Sequence, residues 1–149
     1  MASHWGYCGA CHGLFWDGDP EKGACPAGGG HQAIGFNFVL PTSQPETPVG
    51  QANWRGCVDC RILFYNGYDD NGPCPAGGTH SPGTTDHLLN HDIPGTDPAQ
   101  PDWRFCSKCH GLYFDGYPEK GLCPAGGGHA AAGWNFVLPH APEPGHGID

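Results

Sequence analysis

The chain has 149 residues, with 26 glycines, 16 prolines and only six Lys and Arg against 15 Asp and Glu, for a formal net charge of −9. Without a basic face for phosphates, nucleic acid is not an expected partner. The glycine and proline load disfavours long helices, and no apolar run approaches membrane-spanning length, so membrane insertion is not expected either.

In chain order, Trp5 precedes a knuckle, Cys8-Gly9-Ala10-Cys11, and the run Leu14-Phe15-Trp16-Asp17-Gly18 follows it. Next come Cys25-Pro26-Ala27-Gly28-Gly29-Gly30-His31 and the run Asn37-Phe38-Val39-Leu40. Aromatic and β-branched runs bounded by glycine or proline read as short strands. The whole pattern then recurs 49 residues later and again 98 residues later, with no insertion or deletion. The second copy has Trp54, Leu63 to Gly67 and a weaker last strand, Asp86-His87-Leu88-Leu89; the third has Trp103, Leu112 to Gly116 and Asn135 to Leu138. The chain is therefore one three-repeat domain over 1–149, with copies at 1–48, 49–97 and 98–149, each of three or four strands and essentially no helix.

The connectors Pro41 to Asn53 and Asn90 to Asp102 are rich in proline, glycine and polar residues. Taken alone they describe three zinc-ribbon-like beads on flexible linkers. Their equal length and the lack of distinct capping segments favour instead an all-β body closed with pseudo-threefold symmetry, β-trefoil-like in plan.

Each copy reads C-x2-C-x13-C-P-A-G-G-x-H. The ligand sets are Cys8, Cys11, Cys25 and His31; Cys57, Cys60, Cys74 and His80; and Cys106, Cys109, Cys123 and His129. Three thiolates and one imidazole make a closed tetrahedral site, so Zn2+, three per chain, is the expected cofactor, with iron as a second ion for such ligands. Pro26 biases Cys25 towards an extended conformation, and the glycine run permits the positive φ that brings His31 back to the metal. The metals are expected to stand in for the apolar interior that about 49 residues cannot assemble, with Trp5, Trp54 and Trp103 packed over the knuckles. If the sites are independent, Cys25→Ser removes one equivalent of metal.

Other chemistries fit the pattern less well. Nine cysteines, three per copy, leave an odd thiol in every copy under disulfide pairing. Cys8 to His12 and Cys106 to His110 match the c-type haem signature C-x-x-C-H, but the middle copy has Arg61 in place of that histidine. A catalytic zinc needs an open position, and neither H-E-x-x-H nor H-x-E…C-x-x-C occurs. The expectation is a protein that is not an enzyme.

The combination W-x-x-C-x-x-C-x-x-[LIY]-[FY]-[FWY], then C-P-A-G-G-x-H, then G-x-N-F-V-L resembles tandem Cys/His repeats of bacterial and fungal proteins, often beside extracellular enzyme domains. It also resembles a zinc ribbon, except that the second knuckle is C-x5-H. The resemblance implies zinc binding and an accessory or recognition role.

Strand alternation puts Leu14 and Trp16 on one face of their run and Phe15 and Asp17 on the other. A ring beside a carboxylate or amide is a physical means of holding a sugar. This makes Phe15 with Asp17, Phe64 with Asn66, and Tyr113 with Asp115 the candidate ligand-binding residues, with Asn37, Asp86 and Asn135 as a second set; the competing role for the polar members is closing turns before glycine. The resulting expectation is a multivalent, lectin-like module for glycans or a surface protein. A self-assembling structural protein is the alternative, and a c-type haem carrier a lesser one. Met1 to Tyr7 lacks a signal-peptide pattern, and the chain reads as soluble, with an extracellular setting favoured.

Overall fold

The aromatic runs become strands, three per copy. The computed structural model describes residues 2–96 and 98–146, and no helix occurs among them. Copy one forms β1 (Ala2–Cys8), β2 (Leu14–Trp16) and β3 (Ala33–Leu40); copy two forms β4 (Gly50–Gly56), β5 (Leu63–Tyr65) and β6 (His87–His91); copy three forms β7 (Ala99–Cys106), β8 (Leu112–Phe114) and β9 (Ala131–His146). In each copy the first strand pairs antiparallel with the other two, and its tryptophan is the shared point. Trp5 opposes Trp16 and Phe38, Trp54 opposes Tyr65 and His87, and Trp103 opposes Phe114 and Phe136.

One residue before each tryptophan the register shifts, and His4, Asn53 and Asp102 take φ of 73 to 74°. The freed N–H groups donate to side-chain oxygens of Asn37, Asp86 and Asn135 at 2.7, 2.8 and 2.8 Å. The second set of sugar candidates thus closes β-bulges.

The copies join by two cyclic sets of strand contacts. In the first, Thr42 opposes His87, His91 opposes Phe136, and His140 opposes Phe38. Successive pairs are 49 residues apart, and the last returns from copy three to copy one. In the second, Phe15 opposes Ile62, Phe64 opposes Gly111, and Tyr113 opposes Gly13. There Trp16, Tyr65 and Phe114 donate N–H bonds to the carbonyls of Arg61, His110 and His12 at 2.9, 3.0 and 3.0 Å. Closure makes a nearly complete barrel-like sheet, and β4 and β7 begin inside the connectors. Separate beads are not what this chain forms.

The interior is built jointly. Trp5, Trp54 and Trp103, Leu14, Leu63 and Leu112, and Leu40, Leu89 and Leu138 are buried in one cluster with Phe38 and Phe136. This corrects two expectations. The tryptophans pack in the shared core and not over the knuckles, and the metal clusters add to an apolar interior without replacing it. Closure lets three small copies pool the burial that one copy lacks.

Copy two places His87 where its sisters have Phe38 and Phe136, and its ring meets Trp5 edge-on at 5.2 Å, as Phe38 meets Trp103 at 5.2 Å. His87 is 3% exposed, and burial pushes it down to about 4 from the ordinary 6.5. The unfolded imidazole therefore takes its proton at a higher pH than the folded one. The stability linked to this group is whole above pH 6.5 and is lost as pH falls towards 4. His87→Phe, assayed by denaturant unfolding with metal present, is expected to gain about 2 kcal/mol more at pH 5 than at pH 7. An equal gain at both pH values contradicts this.

Candidate metal centres and the clefts between copies

The first thiol of each set ends the first strand or directly follows it, and a tight knuckle presents the second. Cys8 N–H donates to Gly13 O at 2.9 Å and His12 N–H to Cys8 O at 2.8 Å. The second half is a glycine loop. Gly28 and Gly29 have φ of 102° and 68°, and Cys25 N–H donates to Gly29 O at 2.9 Å. In each copy the four ligand atoms lie within 4.8 Å of one another, so each Cys3His cluster can hold a metal ion. The sulfurs of Cys8 and Cys25, Cys57 and Cys74, and Cys106 and Cys123 are 3.9, 3.8 and 3.9 Å apart. These distances are far beyond a disulfide bond of about 2.05 Å, and all nine cysteines are free thiols.

Each imidazole is held from both sides. Nδ1 of His31, His80 and His129 lies 3.5, 3.4 and 3.6 Å from the sulfur of Cys11, Cys60 and Cys109. Nε2 lies 2.9, 3.1 and 3.0 Å from the carbonyl oxygens of Cys60, Cys109 and Cys11, each in the adjoining copy. A carbonyl only accepts, so Nε2 carries the proton and Nδ1 is free to ligate. The rings of Phe15, Phe64 and Tyr113 stack on these imidazoles at 4.8, 4.9 and 4.6 Å.

Left to themselves the thiols ionise unequally. A hydrogen bond from Cys11 holds Cys8 down at about 3 and Cys25 at about 7, while Cys11, whose proton serves both neighbours, is pushed far up. Copies two and three behave alike. Ligation requires all three deprotonated, so metal uptake releases protons.

The proposed sugar platform is not on the surface. Phe15, Phe64 and Tyr113 are 0, 0 and 1% exposed, shut between the metal imidazoles and the neighbouring strands. Asp17 and Asp115 pair with Lys22 and Lys120, both at 2.8 Å, and Asn66 N–H donates to Asn53 O at 2.8 Å. The half-exposed ring of each run is the next one, Trp16, Tyr65 or Phe114.

Those rings line three clefts at the joints between copies, which the sequence reading missed. Between copies three and one the walls include Tyr7, Phe36, Phe114, Tyr117 and Gln100; between copies two and three they include Phe105, Trp134, Tyr65, Tyr68 and Gln51. The two sets match position for position, and each cleft encloses about 200 Å3. Their rims are exposed aromatics, with Tyr117 at 50%, Tyr68 at 57% and Trp134 at 44%. His140 stacks under Phe36 at 3.7 Å and His91 under Trp134 at 3.8 Å.

The third joint, between copies one and two, differs at several corresponding positions. Gly56 replaces Tyr7 and Phe105, Thr85 replaces Phe36 and Trp134, and Asp19 replaces Tyr117 and Tyr68. His12 packs on Tyr117 at 5.9 Å and His110 on Tyr68 at 5.8 Å, whereas Arg61 pairs with Asp19 at 3.3 Å. An aromatic pair has been exchanged for an ion pair, and the cleft opens to about 480 Å3. Scanning the three copies for positions that change together would have marked this joint.

No helix among the described residues is long and apolar enough to cross a membrane. No protein-family model, curated protein or solved structure matches this chain.

Proposed function

We propose that the chain is a non-catalytic recognition module, pinned by three zinc ions and presenting repeated aromatic clefts to glycans of a cell surface. The donor set and its spacing support zinc. A tetrahedron with metal–sulfur bonds of about 2.3 Å and metal–nitrogen bonds of about 2.05 Å has S···S edges of about 3.8 Å and S···N edges of about 3.5 Å. In the three clusters one S···S distance is 3.8 to 3.9 Å and one S···N distance is 3.4 to 3.6 Å. The ion's contribution is structural, and elemental analysis should count three zinc per chain.

The observation that carries the binding role is the pair of matching clefts with exposed Tyr117, Tyr68 and Trp134. Rings that stay half in water offer flat apolar faces to sugar C–H groups, with Gln100 and Gln51 beside them for hydroxyls. Two equal sites raise avidity for a repeated ligand without strong single contacts.

A broad glycan array followed by titration with the hits is expected to show millimolar or tighter binding. Tyr117→Ala and Trp134→Ala should each weaken it about tenfold, or about 1.4 kcal/mol, with metal content unchanged. Silence across the array overturns the glycan reading. Concentration-dependent light scattering without any glycan hit points to self-assembly through the same rims.

A further inference from the structure

The joint between copies one and two carries features that the metal centres and the matching clefts leave unused. Its floor includes Trp5 and His87, 2 and 3% exposed, and the Trp5 indole N–H and His87 Nδ1 have no hydrogen-bond partner among the described residues. In the sister copies the same indole N–H is satisfied, Trp54 donating to Gln51 at 2.9 Å and Trp103 to Gln100 at 3.0 Å. Copy one has alanine at that position, whose side chain has no oxygen to offer. A buried donor left unpaired beside an unpaired imidazole nitrogen is costly. A ligand with hydroxyls can supply both partners.

The remaining walls narrow its chemistry. The half-exposed Trp16 indole and the exposed threonines 84 and 85 border the same space. Arg61 in its wall and Arg55 next to it each lie against carboxylates. Arg61 meets Asp19 at 3.3 Å and Glu21 at 3.7 Å, and Arg55 meets Asp86 at 3.7 Å while donating to Gly83 O at 2.8 Å. With its charges compensated, the cleft favours a neutral ligand. Its volume of about 480 Å3 lies within the roughly 300–1,000 Å3 of small-molecule pockets. The sister clefts, at about 200 Å3, fall below that range.

We propose that the cleft between copies one and two is a separate sugar site that takes a neutral pyranose or short oligosaccharide, with the Trp5 N–H and His87 Nδ1 pairing with its hydroxyls and Trp16 against its C–H face. This rests on the glycan reading above and deepens it: the module has two small matching clefts and one larger cleft of different specificity. Burial keeps His87 uncharged at neutral pH, in keeping with an uncharged ligand.

The test follows indole N–H resonances of the metal-loaded full chain by NMR, with Trp5→Phe identifying the Trp5 signal. The probes are the methyl glycosides of glucose, galactose and mannose, N-acetylglucosamine, and the corresponding disaccharides. At least one probe is expected to move the Trp5 signal. Thr85→Trp, which copies the Trp134 arrangement onto an exposed position, should weaken that response at least tenfold, and Tyr117→Ala should leave it unchanged. His87→Phe should weaken it while keeping three ions bound. If probes move the Trp134 signal and never that of Trp5, or if Thr85→Trp has no effect, the pocket is refuted and the glycan reading stands. If no probe moves any indole signal, both fail.

Discussion

Chelation of the metal at neutral pH is expected to unfold the whole chain in one transition, without a populated form holding one or two ions. A structural zinc site in a small module is worth about 10–16 kcal/mol, while a domain of this size has about 5–15 kcal/mol in total, so no site is expendable. The sites are also joined. The His31 imidazole hangs on the carbonyl of Cys60, His80 on that of Cys109, and His129 on that of Cys11. Cysteine 109 thus supplies its sulfur to one centre and its carbonyl to the preceding one, and Cys109→Ser is expected to lose more than one equivalent of metal. Independent sites, the simpler expectation from spacing, lose one. Native mass spectrometry counts the ions, and near-ultraviolet circular dichroism of the buried tryptophans reports the fold. A two-ion species that keeps the tryptophan signal would defeat the coupling.

Gly121→Ala should be among the most damaging single-atom-scale changes outside the ligands. Gly121 has φ of 73°, and a Cβ there would meet the Cys11 carbonyl oxygen at 2.1 Å, the atom that receives the His129 proton and closes copy three onto copy one. Gly29 is the control: it also has positive φ, 68°, but nothing lies within 4 Å of its Cβ position. Left-handed strain alone costs about 1 kcal/mol, which is the expected loss for Gly29→Ala. For Gly121→Ala the displaced joint should raise the loss to about 3–5 kcal/mol, on the scale of overpacked backbone sites and broken buried networks. Denaturant midpoints with metal present compare the two. Equal losses would mean that the joint gives way without consequence.

The metal centres were legible because ligand chemistry works through fixed local spacing, C-x2-C and C-P-A-G-G-x-H, and local spacing survives in a sequence. The β class was legible for a similar reason, since Leu14 to Trp16 and its sisters are short runs cut by glycine. Which face of those runs points inward was not. Alternation correctly separated Leu14 from Phe15, yet both are buried, Leu14 against the shared core and Phe15 against a metal imidazole. A strand lying between two interiors hides both faces, and pattern alone offers no sign of the second. Closure was foreshadowed by the invariant step. The clefts were not, because each takes its walls from two copies and becomes a unit only after the ring has formed.

The hydrogen bond from His129 to Cys11 spans 118 residues of sequence, yet it is the same joint that His31 makes with Cys60 over 29. In this hydrogen bond the three seams are equivalent, although the cleft beside the seam between copies one and two differs from its sisters. One isolated copy carries both halves of the connection, an imidazole that reaches outward and a carbonyl that waits to receive one. A metal-loaded peptide of a single copy carries both halves of that bond and is therefore expected to form a homotrimer, whose mass native spectrometry would read.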